Sequence, residues 1–200
     1  MTEQQQTRAS LIVRLADGRD ERAWSQFVEI YAPLVFHFAR RRGLQEADAA
    51  DVTQEVLAAA SRALARGQYD RRKGTFRGWL LTIARNETST LLAAGQRREQ
   101  PCGGTAAQLR LASVAAQDED ASWEADYEQR LFAWAAERVK SEVHAATWRA
   151  FERTAIDRAS GETVAAELGM SIGAVYLAKS RVMKRLRELV RQIDDAEEPV

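Results

Sequence analysis

The sequence predicts an all-α protein of two small helical domains joined by a flexible linker. Three observations predict it. Apolar residues recur at spacings of three and four through most of the chain, the signature of helices that bury one face. No segment alternates Val, Ile, Thr and aromatic residues between hairpin turns, so strands are not expected. Between Gln96 and Asp120 the periodicity fails and Gly, Ala, Gln, Ser and acidic residues take over, with Pro101, Gly103 and Gly104 as breakers. The expected divisions are a first domain over 1–97, a linker over 98–122 and a second domain over 123–195.

In the first domain, Trp24, Phe27, Val28, Tyr31, Leu34, Val35 and Phe38 mark an amphipathic helix, in which Pro33 predicts a kink or break. A second stripe, Val52, Val56, Leu57, Ala60 and Leu64, follows Asp48 as the expected N-cap. A third, Phe76, Trp79, Leu80, Ile83 and Leu91, follows the glycine-bounded loop from Gly67 to Gly74. The second domain opens with Tyr127, Leu131 and Trp134, then Val143, Thr147 and Phe151. A short helix from Glu162 to Leu168 and a long one to about Ile193 flank Gly169-Met170-Ser171, a helix-turn-helix pattern. Gly169 can take the left-handed backbone of a sharp turn, and Ser171 can cap the next helix. On that long helix Val175, Ala178, Val182, Leu186 and Leu189 form the stripe to be buried.

The chain's zero net charge hides three blocks. Residues 1–98 carry 16 Lys and Arg against 11 Asp and Glu, and residues 131–193 carry 11 against 7. Residues 99–130 carry 2 against 7, and the tail from Asp194 adds four acidic residues. Two cationic bodies around an anionic connector suit a polyanion contacted twice, because neutralising phosphates supplies most of nonspecific DNA affinity. No run of about 18 apolar residues exists to enter a membrane, and a cytoplasmic location is expected. Cys102 has no partner for an internal disulfide and reads as a free thiol. His37 and His144 lie far apart with no ligand set around them, so neither metal nor cofactor is expected. Asp118, Glu119 and Asp120 are consecutive and point different ways, a poor cage for the divalent cation a nuclease would need.

Several strings in order resemble the extracytoplasmic-function sigma factors of bacterial RNA polymerase, in the sigma-70 family. They are Asp51-Val52-Thr53-Gln54-Glu55-Val56, Phe76-Arg77-Gly78-Trp79-Leu80, Ile83-Ala84-Arg85-Asn86, and Val164-Ala165-Ala166-Glu167-Leu168-Gly169-Met170-Ser171-Ile172-Gly173-Ala174-Val175 with Ser180-Arg181. The resemblance covers nearly the whole chain. It implies a transcription initiation factor that does no chemistry, binds core RNA polymerase as a monomer and directs it to promoter DNA. An anti-sigma protein is a further partner open to such a chain.

The resemblance also implies site residues. Asp51, Gln54 and Glu55 would dock on a clamp helix of the polymerase's largest subunit; Asp51 and Glu55, four apart, project from one helix face. Arg71, Arg72 and Lys73 in the loop, with Arg85, Asn86 and Ser89 on the next helix, would read and help melt the minus-ten element. Ser171, Gly173, Ala174, Tyr176, Leu177, Ser180, Arg181 and Lys184 would face the minus-thirty-five element. Many members place a Lys-Ser-Arg-like run directly after the Gly-x-Val string, where this chain has Tyr176-Leu177-Ala178. Tyr176 and Leu177 can touch thymine methyls, or Tyr176 can bond a phosphate; the residues leave both open. The rival reading is an operator-binding regulator whose first domain dimerises or senses a ligand.

Overall fold

A computed structural model describes residues 11–96 and 106–194, with side chains described over 11–93 and 119–193. Cys102 and the breakers Pro101, Gly103 and Gly104 lie outside the described residues, as do both tails. The described residues hold helices and no strand, so the expected all-α class holds. The chain divides into two compact units at Leu131.

The first unit holds α1 (Leu11–Ala16), α2 (Glu21–Arg41), α3 (Glu46–Ala65), α4 (Phe76–Gln96) and the part of α5 (Ala106–Glu142) that precedes Leu131. Helix α1 escaped the sequence reading, although Leu11, Ile12 and Leu15 are buried. Helix α2 runs unbroken through Pro33. Proline inside a helix costs about 3 kcal/mol or more, while burying a large apolar side chain contributes about 1.5–3 kcal/mol. Ile30, Tyr31, Leu34 and Val35, flanking Pro33, are all fully buried, and their combined burial outweighs the proline. Phe27 and Tyr31 meet Phe76 of α4 edge-on at 5.9 and 5.6 Å.

Asp20 caps α2. Its Oδ1 accepts the Ala23 N–H at 2.9 Å, and its Oδ2 accepts Arg14 Nε at 2.7 Å. The arginine bond and then the backbone bond favour the charged carboxylate, lowering its pKa from 3.8 to about 2. Because the folded value lies below the unfolded one, the cap's contribution is fully present above about pH 4 and is lost as pH falls through about 2. Wild type and Asp20→Ala should therefore differ in urea midpoint by a constant amount above pH 4 and converge toward pH 2. A gap that persists undiminished at pH 2 would show that the carboxylate charge is not what the cap uses.

Helix α3 starts earlier than expected, because Gln45 rather than Asp48 takes the extended cap conformation. Leu44 and Ala49, just before and four after the cap, are both buried, the pairing of a hydrophobic staple. Asp48 sits in the first turn, where its charge suits the helix dipole. In α4 the buried line is Phe76, Leu80, Ala84 and Thr88, with Leu81 beside it. Trp79 and Ile83 are half-buried and Leu91 is exposed, so the buried face is turned from the expected stripe.

Residues 106–142 are helical although a linker was expected as far as 122. Ala, Leu, Gln and Arg dominate the start of this stretch, and all are strong helix formers. Trp123 and Tyr127 of α5, both expected with the second domain, are buried in the first unit. Trp123 meets Phe38 edge-on at 5.6 Å and Tyr127 stacks on Tyr31 at 5.8 Å.

The second unit holds the rest of α5, α6 (Ala145–Phe151), which passes into a π-helical turn Glu152–Ile156, then α7 (Gly161–Leu168) and α8 (Ile172–Asp194). One core cluster joins Ala135 and Val139 to Trp148, Phe151, Val182, Leu186 and Leu189. A second joins Ala150, Val164, Ala165, Val175 and Ala178. All five expected stripe residues of α8 are buried. Among the described residues no helix is long and apolar enough to cross a membrane.

Candidate functional site

Three surfaces carry the residues singled out in the sequence, two in the first unit and one in the second. On α3, Asp51, Gln54 and Glu55 are exposed, while Val52, Thr53 and Val56 between them are buried. Thr53 hides its hydroxyl by donating to the Ala49 carbonyl at 2.7 Å, so the outward face is left to the carboxylates and the amide.

The second surface is the loop before α4 with the start of that helix. Gly67, at φ 65°, lets the chain leave α3 in the left-handed region. Asp70 then caps a single 3-10 turn, Arg71–Lys73, by accepting the Arg72 N–H at 3.0 Å. The Arg72 guanidinium folds back onto both Asp70 oxygens, each at 3.0 Å. That bond lowers the Asp70 pKa and raises that of Arg72. Of the three expected cations, Arg72 thus has its charge matched locally, Lys73 is exposed and Arg71 is half-buried.

Beneath the turn lies a cleft of about 410 Å³ lined by Tyr69, Asp70, Lys73, Thr75, Trp79 and Thr82, among others. Its walls are held from several sides. The Tyr69 hydroxyl donates to the Gly74 carbonyl at 3.2 Å, and its ring lies 5.3 Å from Trp79 and 5.4 Å from Phe76. Burial raises the Tyr69 pKa, so the phenol remains a donor. Thr75 accepts the Gly78 N–H at 3.2 Å, and Thr82 donates to the Gly78 carbonyl at 2.9 Å, which orients both hydroxyls at the rim. The sequence reading placed Trp79 on the core face, whereas here it is a half-buried cleft wall. Tyr69 was not singled out; only its place between Gly67 and the third apolar stripe hinted at it.

Further along α4, Asn86 and Ser89 are exposed. Arg85 is turned elsewhere, pairing with Glu119 at 3.2 Å and Asp120 at 3.0 Å. Arg42 and Arg77 pair likewise with Glu119 and Glu124, and the Arg77 guanidinium lies 4.5 Å from the Tyr127 ring centre. Glu119 and Asp120, expected in a linker, and Glu124, expected in the second domain, thus occupy arginines of the first unit, and Arg85 does not stand with Asn86 as an open cation.

The third surface is α8. Gly169 closes α7 at φ 63° and ψ 33°, in the left-handed region. Ser171 then accepts the Ala174 N–H at 3.2 Å. Ser171, Gly173, Tyr176, Leu177, Ser180, Arg181 and Lys184 are exposed and Ala174 is half-buried. Arg185, which the sequence reading left aside, grips Glu142 through two bonds of 2.6 and 3.0 Å and is thereby committed to the fold.

Residues 27–98 match the family description Sigma-70 region 2. The first unit thus carries a segment similar to sigma-70 region 2. The match spans α2 to α4 and so takes in both the acidic face of α3 and the cleft beside the loop. A solved structure, that of CnrH in complex with the cytosolic domain of CnrY, is 27% identical, covering 90% of this chain and 94% of that chain, at a TM-score of 0.37. No curated protein gives a significant match.

Proposed function

We propose that this chain is a sigma factor of the extracytoplasmic-function type, cytoplasmic and non-catalytic, that docks as a monomer on core polymerase through Asp51, Gln54 and Glu55. Its first unit reads and helps melt the minus-ten element, and α8 reads the minus-thirty-five element. The cleft carries this reading. Opening a promoter leaves bases unpaired, and a protein holds such a base by enclosing it against aromatic walls and bonding its edge. A cleft of about 410 Å³ with Tyr69 and Trp79 in its walls and the Thr75 and Thr82 hydroxyls at its rim has the size and groups for one displaced base. Lys73 stands at its mouth to meet the adjoining phosphate. Asn86, exposed two turns along the same helix, supports contact with the next nucleotide.

The test is reconstituted initiation with core polymerase on a promoter selected from a random library, with 2-aminopurine placed in the minus-ten element. The chain should give no fluorescence rise alone and a clear one with polymerase. Lys73→Ala and Asn86→Ala should each reduce the open complex by about tenfold, the scale of one lost base or phosphate contact. Tight binding to a duplex operator without polymerase, and no transcription with it, would instead identify an operator-binding regulator.

A further inference from the structure

We propose that Gly161 is a positioning residue for Tyr176, fixing the phenol ring that α8 presents to promoter DNA; the inference rests on the minus-thirty-five reading above. Gly161 is the first residue of α7, directly after the Ser160 cap, whose Oγ accepts the Thr163 N–H at 3.1 Å. Its backbone lies outside the left-handed region, so the turn does not require glycine there. Space does. A β-carbon at 161 would stand 2.9 Å from both Cζ and Oη of Tyr176 and 3.0 Å from Cε2, closer than such atoms approach. The tip of the ring therefore lies against the bare α-carbon and buries it, while Tyr176 as a whole stays 56% exposed.

This contact ties the two ends of one side chain to two helices. The Tyr176 backbone belongs to α8, its hydroxyl end rests on the start of α7, and one ring direction is selected from those an exposed tyrosine samples. Leu177, its neighbour, is 66% exposed. A ring already fixed loses little further freedom when DNA closes on it, and it presents the same edge to every site. Gly161 touches no base in this arrangement; it acts through Tyr176. The clash atoms are the far end of a side chain, so alanine at 161 displaces the ring and leaves the α7 backbone in place.

Two measurements on the full chain test this. In the free protein with labelled tyrosine, nuclear Overhauser contacts should link the Tyr176 ring to the Gly161 α-protons and disappear in Gly161→Ala at unchanged helicity. In holoenzyme, promoter-library selections should be compared for wild type, Gly161→Ala, Tyr176→Ala, the double variant and Lys184→Ala. Gly161→Ala and Tyr176→Ala should alter base preference at the same one or two minus-thirty-five positions, by about tenfold for a specific contact. The double variant should select as Tyr176→Ala does. Lys184→Ala should weaken all sequences alike and flatten the salt dependence by about one unit. An unchanged motif in Gly161→Ala beside a changed one in Tyr176→Ala would overturn the positioning role. So would a Gly161→Ala effect that survives in the Tyr176→Ala background. A motif indifferent to Tyr176 would overturn the minus-thirty-five reading of that residue and this proposal with it, and the Overhauser contacts would then report packing alone.

Discussion

Replacing Trp123 by alanine is expected to destabilise the first unit by about 3–5 kcal/mol, the range for truncating a buried aromatic residue. Trp123 is fully buried, with its ring edge-on to Phe38. A loss of that size is a large share of the roughly 5–15 kcal/mol that holds a domain folded. The surrounding ion pairs, Arg42 with Glu119, Arg77 with Glu124 and Arg85 with Asp120, are partly exposed. Pairs of that kind contribute about 0–1 kcal/mol each, so the aromatic contacts hold the start of α5 in place. Urea denaturation of the full chain, followed by circular dichroism, checks this. Trp123→Phe should cost much less, because it keeps most of the ring and removes a buried indole N–H that has no hydrogen-bond partner. A loss below about 1 kcal/mol for Trp123→Ala would mean that α2 to α4 stand without α5.

The second large effect is expected in polymerase binding. Reversing both charges in Asp51→Lys/Glu55→Lys should weaken affinity for core polymerase by more than about tenfold, through slower association and a changed salt dependence. Both side chains are exposed, with their buried neighbours Val52 and Val56 untouched. Exposed positions away from caps usually change stability by less than about 0.5 kcal/mol, so the urea midpoint should hardly move. Titration of labelled core polymerase with each variant decides the matter. Unchanged affinity would sink the docking role, and a fall in stability without loss of binding would assign these carboxylates to the fold.

The second unit was the more legible of the two. The α7–α8 turn follows from local chemistry, a glycine that can turn left-handed and a serine two residues on that can cap, and both are found in those roles. The α8 stripe is equally local, since five residues on one helix face declare it. Three features of the first unit were less accessible. The buried line of α4 uses Ala84 and Thr88, residue types that do not register as an apolar stripe, and so its register was misplaced. The start of α5 read as a linker because its acidic and small residues have no apolar period, and the partners of Trp123 and Tyr127 lie far back in α2. The acidic α3 face could be read from a four-residue spacing. The cleft could not, because it exists only once Tyr69 and Trp79 are brought within 5.3 Å by the fold of the loop.

The burial of Tyr127 against Tyr31 bears on where such a chain can be cut and recombined. Region 2 as matched ends at residue 98, yet the first unit extends to Arg130. A chimera that exchanges halves at the polar stretch near residue 100 would part Tyr31 and Phe38 from the rings that cover them. A junction placed after Arg130 keeps each of these aromatic pairs within a single parent, which makes the middle of a helix the safer seam for exchanging second units.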